Sequence, residues 1–255
     1  MTENIKAAFA AQPGNLHLGL KLPCQDSAAF HRGPSACCLA LADGAGSVSG
    51  SELAAGAVCR GLARELALRF DVWFRQEDEL LKSELLRLCA QFAEEADPGR
   101  KPDCTLLLTA ISIDGAVLWC HIGDGGMFCC SDTSCIQISS PENGAAANET
   151  YFLSGREAHR HLRAGRLRLR QAATFLLCSD GVEPVLYDRQ AGHCAPAVGI
   201  LSGWMREDRP EEVSLALERH LDGLFRSKTD DDMSLGMICW TSPERPAQTG
   251  SDCFI

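Results

Sequence analysis

The chain has 255 residues, of which 45% are apolar, so it is long enough to bury one sizeable hydrophobic core. Its 34 acidic residues outnumber the 24 lysines and arginines, and the formal net charge of −10 opposes binding to nucleic acid or to an anionic membrane surface. No apolar stretch approaches the roughly 20 residues that span a bilayer, so we expect no transmembrane segment.

Cysteine is frequent, with 14 residues. The chain is longer than a small disulfide scaffold and shows no basic-then-apolar signal segment at its start, so we expect reduced thiols and a cytoplasmic location. No two cysteines are spaced as Cys-x-x-Cys, which argues against a zinc site.

The first residues give weak signals of secondary structure. Residues 1–14 show no clear period and are interpreted as a lead-in to a single domain over residues 15–240. Residues 15–20 are interpreted as a possible first strand. The segment that follows reaches Asp26 through a proline, which argues against a helix there.

An acidic turn follows an apolar strand predicted at residues 36–42. The strand ends in Asp43-Gly44, where the aspartate would release its side chain into a cleft. The glycine would leave its carbonyl open to a cation that prefers oxygen ligands. Taken alone, this pair is more simply a turn, because Asp-Gly is a common turn dipeptide.

Two long helices are predicted after this turn. Apolar residues recur at three- and four-residue steps over about 51–70, and Ser49 and Glu52 have the spacing of a capping box at its start. The second helix begins with acidic residues near Glu77 and ends at the Asp-Pro-Gly sequence of residues 97–99. Both apolar stripes are typical of core packing.

A β-hairpin is predicted next. Apolar runs at 104–113 and 116–122 flank Asp114-Gly115, a strong hairpin signal, so we interpret Asp114 as a turn residue. The second run leads into a glycine-rich turn at Asp124, before another short strand. This aspartate therefore stands at a strand end of the same kind as the first acidic turn.

The C-terminal half contains a long polar segment. Residues 131–165 show little period and are interpreted as a flap, because such segments are often functional or mobile. Six arginines lie between 156 and 170 and partly alternate with leucine, which indicates a half-exposed strand. They form either a solvated face or a docking surface for an anionic substrate. A helix is predicted at 210–225, and residues 241–255 are interpreted as a tail.

Two further buried strands stand beside carboxylates. The strand at 173–178 precedes Asp180, and the strand at 233–240 follows Asp231 and Asp232. If all the acidic strand ends lie side by side, their carboxylates converge and repel one another unless cations intervene. Such all-oxygen ligation suits Mg²⁺ or Mn²⁺, and two such ions can activate a water for phosphoester hydrolysis.

The order of these segments resembles the metal-dependent type 2C (PPM-type) protein Ser/Thr phosphatases. The residues that carry the resemblance are Gln25-Asp26, residues 42–46 with Glu52, residues 122–124, residues 177–181 and residues 231–234. These segments occur in the family's order and cover residues 15–240. The likeness is greatest to the compact bacterial branch of stand-alone type 2C-like phosphatases. Residues 148–152 also resemble the corresponding sequence in that branch.

The resemblance implies an α+β fold, a four-layer α-β-β-α sandwich in which two antiparallel sheets are flanked by helix pairs. It implies hydrolysis of phosphoserine and phosphothreonine in proteins by metal-activated water, with two Mn²⁺ or Mg²⁺ ions and room for a third. By matching position, Asp43 would bridge the two ions and Gly44 would offer its carbonyl. Asp180 and Asp231 would complete the coordination of the second ion.

The resemblance also assigns roles around this pair of ions. Asp26 would orient metal-bound waters, so Asp43, Asp180 and Asp26 are the expected catalytic aspartates. Asp124 would hold the third, weaker ion together with Asp180. The expected partner is a phosphorylated protein, with no nucleic acid and no membrane, and the chain is expected to be a monomer.

Three positions depart from the family pattern. Lys21 stands where the family usually has a phosphate-gripping arginine, and we expect it to approach the phosphate as a point charge without the bidentate fork. Ala45 replaces a histidine that donates a proton in some members. His17 and His121 are candidates by proximity alone, and each is more simply a structural histidine. Asp232 stands where most members have asparagine.

Three functions remain open at this point. The first is an active protein phosphatase, favoured because all the metal positions are filled. The second is a catalytically weak pseudophosphatase that binds phosphoproteins, motivated by Lys21 and Ala45. The third is a phosphatase of another phosphoester, which would share the site and differ in the flap.

Overall fold

The computed structural model describes residues 2–131, 133–144 and 150–242. Two five-stranded antiparallel sheets pack face to face, and helices cover the outer surface of each sheet, so the predicted α-β-β-α sandwich is confirmed. The first half contains β1 (Ile5–Gln12), α1 (Asn15–Leu20), β2 (Asp26–Arg32), β3 (Ala36–Asp43), α2 (Ser51–Leu68), α3 (Phe70–Arg75), α4 (Asp78–Ala96), β4 (Leu106–Ser112) and β5 (Ala116–Ile122). The second half contains β6 (Gly126–Cys130), β7 (Cys135–Ser139), α5 (Ala158–His161), β8 (Arg163–Arg168), β9 (Ala173–Cys178), α6 (Glu183–Leu186), β10 (Tyr187–Asp188), β11 (His193–Cys194), α7 (Pro196–Glu207), α8 (Pro210–His220) and β12 (Met233–Trp240).

The two sheets have strand orders that join distant parts of the chain. The first sheet has the order β1-β12-β9-β6-β7, and the second sheet has the order β2-β3-β4-β5-β8. A π-helical turn, Leu221–Phe225, continues α8, so the helix predicted at 210–225 is present in two parts. Strands β10 and β11 form a separate two-stranded hairpin.

The core lies in three layers because the central strands are buried on both faces. On β3, Leu39 and Leu41 point between the two sheets, while Cys38 and Ala40 point towards the covering helices. This alternation follows from the two-residue period of a strand. Strand β3 therefore reads as an unbroken apolar run, which is typical of a strand covered on both sides.

Helices on each outer surface bury their apolar stripes against a sheet. Helices α2 and α4 cover the second sheet, and their stripes include Val58, Leu62 and Leu85. Helices α7 and α8 cover the first sheet with side chains such as Val198 and Leu217. No helix within the described residues is both long enough and apolar enough to cross a membrane.

The N-terminal segment differs from its prediction. Residues 5–12 form β1, which pairs with β12 along its whole length, so the first sheet begins before residue 15. Residues 15–20 form helix α1, and the strand predicted there is wrong. The leucines of this segment face solvent, with Leu16 and Leu20 58% and 61% exposed, so they give the segment no buried face of a sheet strand.

The segment interpreted as a flap contains regular structure. Strand β7 pairs with β6, and β8 pairs with β5, so both ends of residues 131–165 belong to the sheets. The half-exposed arginine strand is present as β8, two residues shorter at its C-terminal end than the alternation suggested. Residues 148 and 149 of the flap and residues 243–255 of the tail lie outside the described residues.

Two local expectations are wrong. The capping box does not form, because α2 begins at Ser51 with Gly50 as its N-cap in the left-handed region, φ 81°, and without a side-chain cap. The Arg100 guanidinium donates a hydrogen bond to the carbonyl of this N-cap residue, Gly50. The expectation of reduced thiols also fails at one place, since Cys130 and Cys135 form a disulfide across the turn between β6 and β7.

Candidate metal centre

Strand register explains why distant carboxylates meet at one end of the sandwich. In the second sheet Asp26 lies directly opposite Asp43. In the first sheet Gly126 lies opposite Cys178, and extension of this antiparallel register places Asp124 opposite Asp180. The start of β12 pairs with the end of β9, which brings Asp231 to the same end. Both sheets therefore deliver their acidic ends to one cleft.

Three aspartates form the centre of this cleft. Each of Asp43, Asp124 and Asp180 offers one carboxylate oxygen, and these three oxygens lie within 4.8 Å of one another. The cleft has a volume of about 680 Å³, and its wall includes Gly44 and Asp231. The convergence predicted from the four acidic strand ends is therefore present, although Asp231 is exposed and lies outside the tightest group.

Mutual repulsion and burial perturb these carboxyl groups. Burial, followed by the charges of Asp26 and Asp180, raises the pKa of Asp43 well above its usual range. Burial, followed by the charges of Asp124 and Asp231, raises the pKa of Asp180 to about 8. Burial also raises the pKa of Asp124. A cluster of this kind holds its full negative charge at neutral pH only when cations neutralise it.

Asp26 lies behind the cluster and is 6% exposed. Neither of its carboxylate oxygens accepts a hydrogen bond of ordinary geometry in the described chain, although the Ser179 and Ser234 side chains lie close enough to lower its pKa; Asp180 Oδ1 is likewise without a partner. Burial raises the pKa of Asp26 to about 6. Buried carboxylate oxygens need partners, and a hydrated divalent cation supplies them through its own charge and its water hydrogens. The donor set, all oxygen, fits Mg²⁺ or Mn²⁺.

The backbone around Asp43 is fixed by the loop before β4. Thr105 Oγ1 accepts a hydrogen bond from the Asp43 amide at 2.9 Å, and the Thr105 amide donates to the Asp43 carbonyl at 2.8 Å. The next position accepts only glycine, because a Cβ on Gly44 would lie 2.8 Å from Ser51 Oγ at the start of α2. The Asp-Gly turn is thus held between a strand and a helix rather than exposed as an ordinary turn.

Asp232 has a different environment from Asp231. Its side chain is 2% exposed and accepts hydrogen bonds from the backbone amides of Gly14 and Gln25. Its Oδ2 also lies 2.8 Å from Nδ1 of His17, which belongs to the cleft wall. Asp232 therefore ties the start of β12 to the two loops around α1.

Two candidates from the sequence lie away from the cleft wall. Lys21 is exposed at the C-terminal end of α1, with φ 58°, and does not line the cleft. His121 is fully buried on β5, where its Nδ1 lies 2.8 Å from Ser139 Oγ and accepts a hydrogen bond from Arg163. Burial lowers the pKa of His121 to about 3. His121 is accordingly a structural histidine.

The cleft wall includes polar residues that were not selected as site candidates from the sequence. Asn143 and Thr150 form an isolated bridge, and both line the cleft. The Thr150 hydroxyl donates a hydrogen bond to Asp124 Oδ2, which orients this carboxylate. Thr150 lies within residues 148–152, which carry part of the family resemblance, but its role at the cleft depends on a contact with Asp124 that no local pattern indicates.

Comparison with known proteins gives a consistent result. A family model described as protein phosphatase 2C matches residues 13–222. A search of the curated proteins gives no match. Among solved structures, PppA, a regulatory component of the type VI secretion system in Pseudomonas aeruginosa, is 17% identical with a TM-score of 0.62, covering 92% of this chain and 96% of that chain. The S. agalactiae serine/threonine phosphatase is 13% identical with a TM-score of 0.62, covering 92% and 98%. RsbX in complex with magnesium is 15% identical with a TM-score of 0.57, covering 93% and 96%. At these identities the likeness is one of fold.

Proposed function

The chain belongs to the protein phosphatase 2C family, and on this premise we propose that it hydrolyses phosphoserine and phosphothreonine in proteins with the help of divalent cations. The observation that carries the proposal is the group of three carboxylate oxygens from Asp43, Asp124 and Asp180 within 4.8 Å. The open cleft beside them is large enough for a phosphorylated side chain and a short stretch of its peptide.

The residues of the cleft suit Mn²⁺ or Mg²⁺. We assign Asp43, Asp180 and Asp231, with the Gly44 carbonyl, to a pair of ions and Asp124 to a third, weaker ion. When bound, such ions lower the pKa of a water molecule and neutralise the phosphate. Asp26, buried behind Asp43, would accept hydrogen bonds from waters at the centre and hold them in place.

The aspartates of the cleft would also determine where the substrate and the attacking water lie. The phosphate must enter beside Asp43 and Asp180, since these side chains lie in the cleft wall. Water would attack phosphorus directly, with no covalent enzyme intermediate. Asp26 and the metal-holding aspartates fix the position of this water, which lowers the entropic cost of the attack.

A direct test uses p-nitrophenyl phosphate and two site variants. The parent protein should release p-nitrophenol in Mn²⁺ or Mg²⁺, and this release should cease when EDTA is added. Asp43→Asn and Asp180→Asn should each lose at least about a hundredfold in kcat/KM, because several kcal/mol of transition-state stabilisation depend on the ions. Asp208→Asn, an exposed aspartate near the end of α7, is the matched control and should keep full activity. Well-folded site variants with parental activity would contradict the assignment.

One observation favours a pseudophosphatase as the second candidate. Within the described residues, the cleft wall contains no lysine or arginine, so a bound phosphate would depend on the cations alone. A protein of that kind would bind a phosphopeptide in Mn²⁺ without releasing phosphate. Calorimetric binding of a phosphopeptide, set beside the turnover assay, separates the two functions. A phosphatase of another phosphoester would instead hydrolyse p-nitrophenyl phosphate and leave phosphopeptides intact.

A further inference from the structure

His17 occupies a position that its neighbours define closely. It belongs to α1, is 9% exposed and forms part of the cleft wall. Its Nδ1 lies 2.8 Å from Oδ2 of Asp232. A buried carboxylate is a hydrogen-bond acceptor, so the Nδ1–H of the His17 ring donates to it. Nε2 is then the ring nitrogen left to a ligand in the cleft, and no protein partner for it exists within the described residues.

The carboxylate that holds the ring is itself fixed. Asp232 is 2% exposed, and backbone amides from Gly14 and Gln25 donate to its two oxygens. Asp232 is not one of the proposed cation ligands, so the pair is available for a role of its own. The arrangement, a buried aspartate that orients a histidine at a reaction cleft, is one that proteins use to position a proton donor or acceptor.

Other residues of the wall are poorly suited to donate a proton to a leaving group. The central aspartates are assigned to cations, and the Thr150 hydroxyl is engaged by Asp124. The amides of Gln25 and Asn143 are not acids. The second histidine considered from the sequence, His121, lies outside the wall and stays neutral near pH 7.

We propose that His17 is a further catalytic residue, the general acid for the leaving oxygen, and that Asp232 positions it. The inference rests on the proposed phosphatase function. A water oxygen forms a bond to phosphorus while the ester P–O bond breaks, and the electron pair of that bond goes to the serine or threonine oxygen. Nε2 of protonated His17 gives its proton to this oxygen, and the ring regains a proton from solvent. One water proton stays on the phosphate, and the other leaves to solvent.

The test compares two leaving groups in Mn²⁺. Departing p-nitrophenolate is a stable anion that needs no proton, whereas a serine alkoxide is strongly basic. His17→Gln should therefore lower kcat for a phosphoserine peptide by about a hundredfold and change kcat for p-nitrophenyl phosphate by less than about threefold. Asp232→Asn should lower peptide kcat by about tenfold with the same selectivity, because the ring loses its charged partner. If His17 had a purely structural role, its replacement would lower kcat for both substrates by the same factor.

The matched control is His161→Gln. Its Nδ1 lies 2.8 Å from Glu142 Oε1, so it is also a histidine paired with a carboxylate, but it stands outside the cleft wall. This variant should have the same kcat as the parent protein on both substrates. Should His17→Gln fail to fold, His17→Ala assayed with added imidazole replaces it, and imidazole should restore peptide turnover about tenfold.

The possible outcomes are distinct. Equal losses on both substrates, or no loss on the peptide, would overturn the role of His17 while leaving the phosphatase intact. A parent protein without activity on either substrate would overturn the proposed function and this inference with it.

Discussion

Replacement of Asp180 by asparagine should stabilise the protein when cations are absent and destabilise it when they are bound. The three central carboxylate oxygens lie within 4.8 Å of one another, and at that separation two unit charges repel by about 3.5 kcal/mol at an effective dielectric constant of about 20. Asp180 takes part in two of the three pairs. Its neutralisation would relieve about 7 kcal/mol if every carboxylate were ionised.

Proton binding reduces the repulsion among the carboxylates in the metal-free protein and makes its stability depend on pH. The pKa of Asp180 is raised to about 8 and that of Asp26 to about 6, first by burial. A raised carboxyl pKa means that the folded protein binds more protons than the unfolded chain, so the free energy of unfolding falls as pH rises from about 4 to about 8. The slope is about 1.4 kcal/mol per pH unit for each such proton. At pH 8 we expect Asp180→Asn to be more stable than the parent by about 2–4 kcal/mol in EDTA.

Divalent cations should reverse the order. They bind the folded state, and each ion stabilises it by about 4.1 kcal/mol at a concentration of about 1,000 times its dissociation constant, so the proposed pair contributes about 8 kcal/mol, more than the advantage of the variant in EDTA. The parent gains this stabilisation in full, while Asp180→Asn lacks one ligand and gains less. In saturating Mn²⁺ the parent should therefore unfold at the higher urea concentration.

The assay is urea unfolding at pH 5 and pH 8, in EDTA and in Mn²⁺, for the parent, Asp180→Asn and the surface control Asp208→Asn. The control should track the parent in all four conditions. Asp180→Asn should be the more stable protein in EDTA at pH 8 and the less stable one in Mn²⁺. A variant that is less stable than the parent in both conditions would refute the electrostatic reasoning.

Three further predictions concern other residues. Asp124→Ala should keep two tightly bound ions but turn over poorly, and loss of one tight ion in a binding titration would move Asp124 into the primary pair. Lys21→Ala should leave both the inhibition constant of inorganic phosphate and metal binding unchanged, because Lys21 is exposed and does not line the cleft; a raised inhibition constant would show that Lys21 reaches the phosphate. Arg189→Ala should lower the free energy of unfolding by about 3 kcal/mol in urea, because Glu183 is fully buried and would lose bonds of 2.8 and 3.1 Å. A change below about 0.5 kcal/mol, the usual range for surface substitutions, would show that water replaces the arginine.

The sequence predicted the parts of the fold whose burial is complete. Strands β9 and β12 are covered on both faces, so their apolar runs have the bounds of the strands themselves. The hairpin of β4 and β5 was predicted because an Asp-Gly turn sets its register locally. In contrast, β1 consists largely of alanines, and its pairing with β12 joins residues more than 200 positions apart. No local pattern indicates such a pairing.

The same distinction applies to the candidate site. Asp43, Asp124 and Asp180 could be predicted together, because each stands just beyond the end of an apolar strand. The contact of His17 with Asp232 spans 215 positions, and the role of Thr150 depends on its contact with Asp124, 26 positions away along the chain. Such contacts follow from the packing of the two sheets and can be seen only in the folded chain.

The most direct measurement is the initial rate of phosphate release from a phosphoserine peptide as MnCl₂ is titrated into EDTA-stripped protein. If the acidic cluster holds the cations that drive phosphoester hydrolysis, the rate should rise from near zero to a plateau. The same titration of Asp43→Asn should stay at least about a hundredfold lower. A stripped protein that releases phosphate as fast as the Mn²⁺-loaded one, or an Asp43→Asn variant that reaches the parental plateau, would contradict a metal-dependent phosphatase centred on these aspartates.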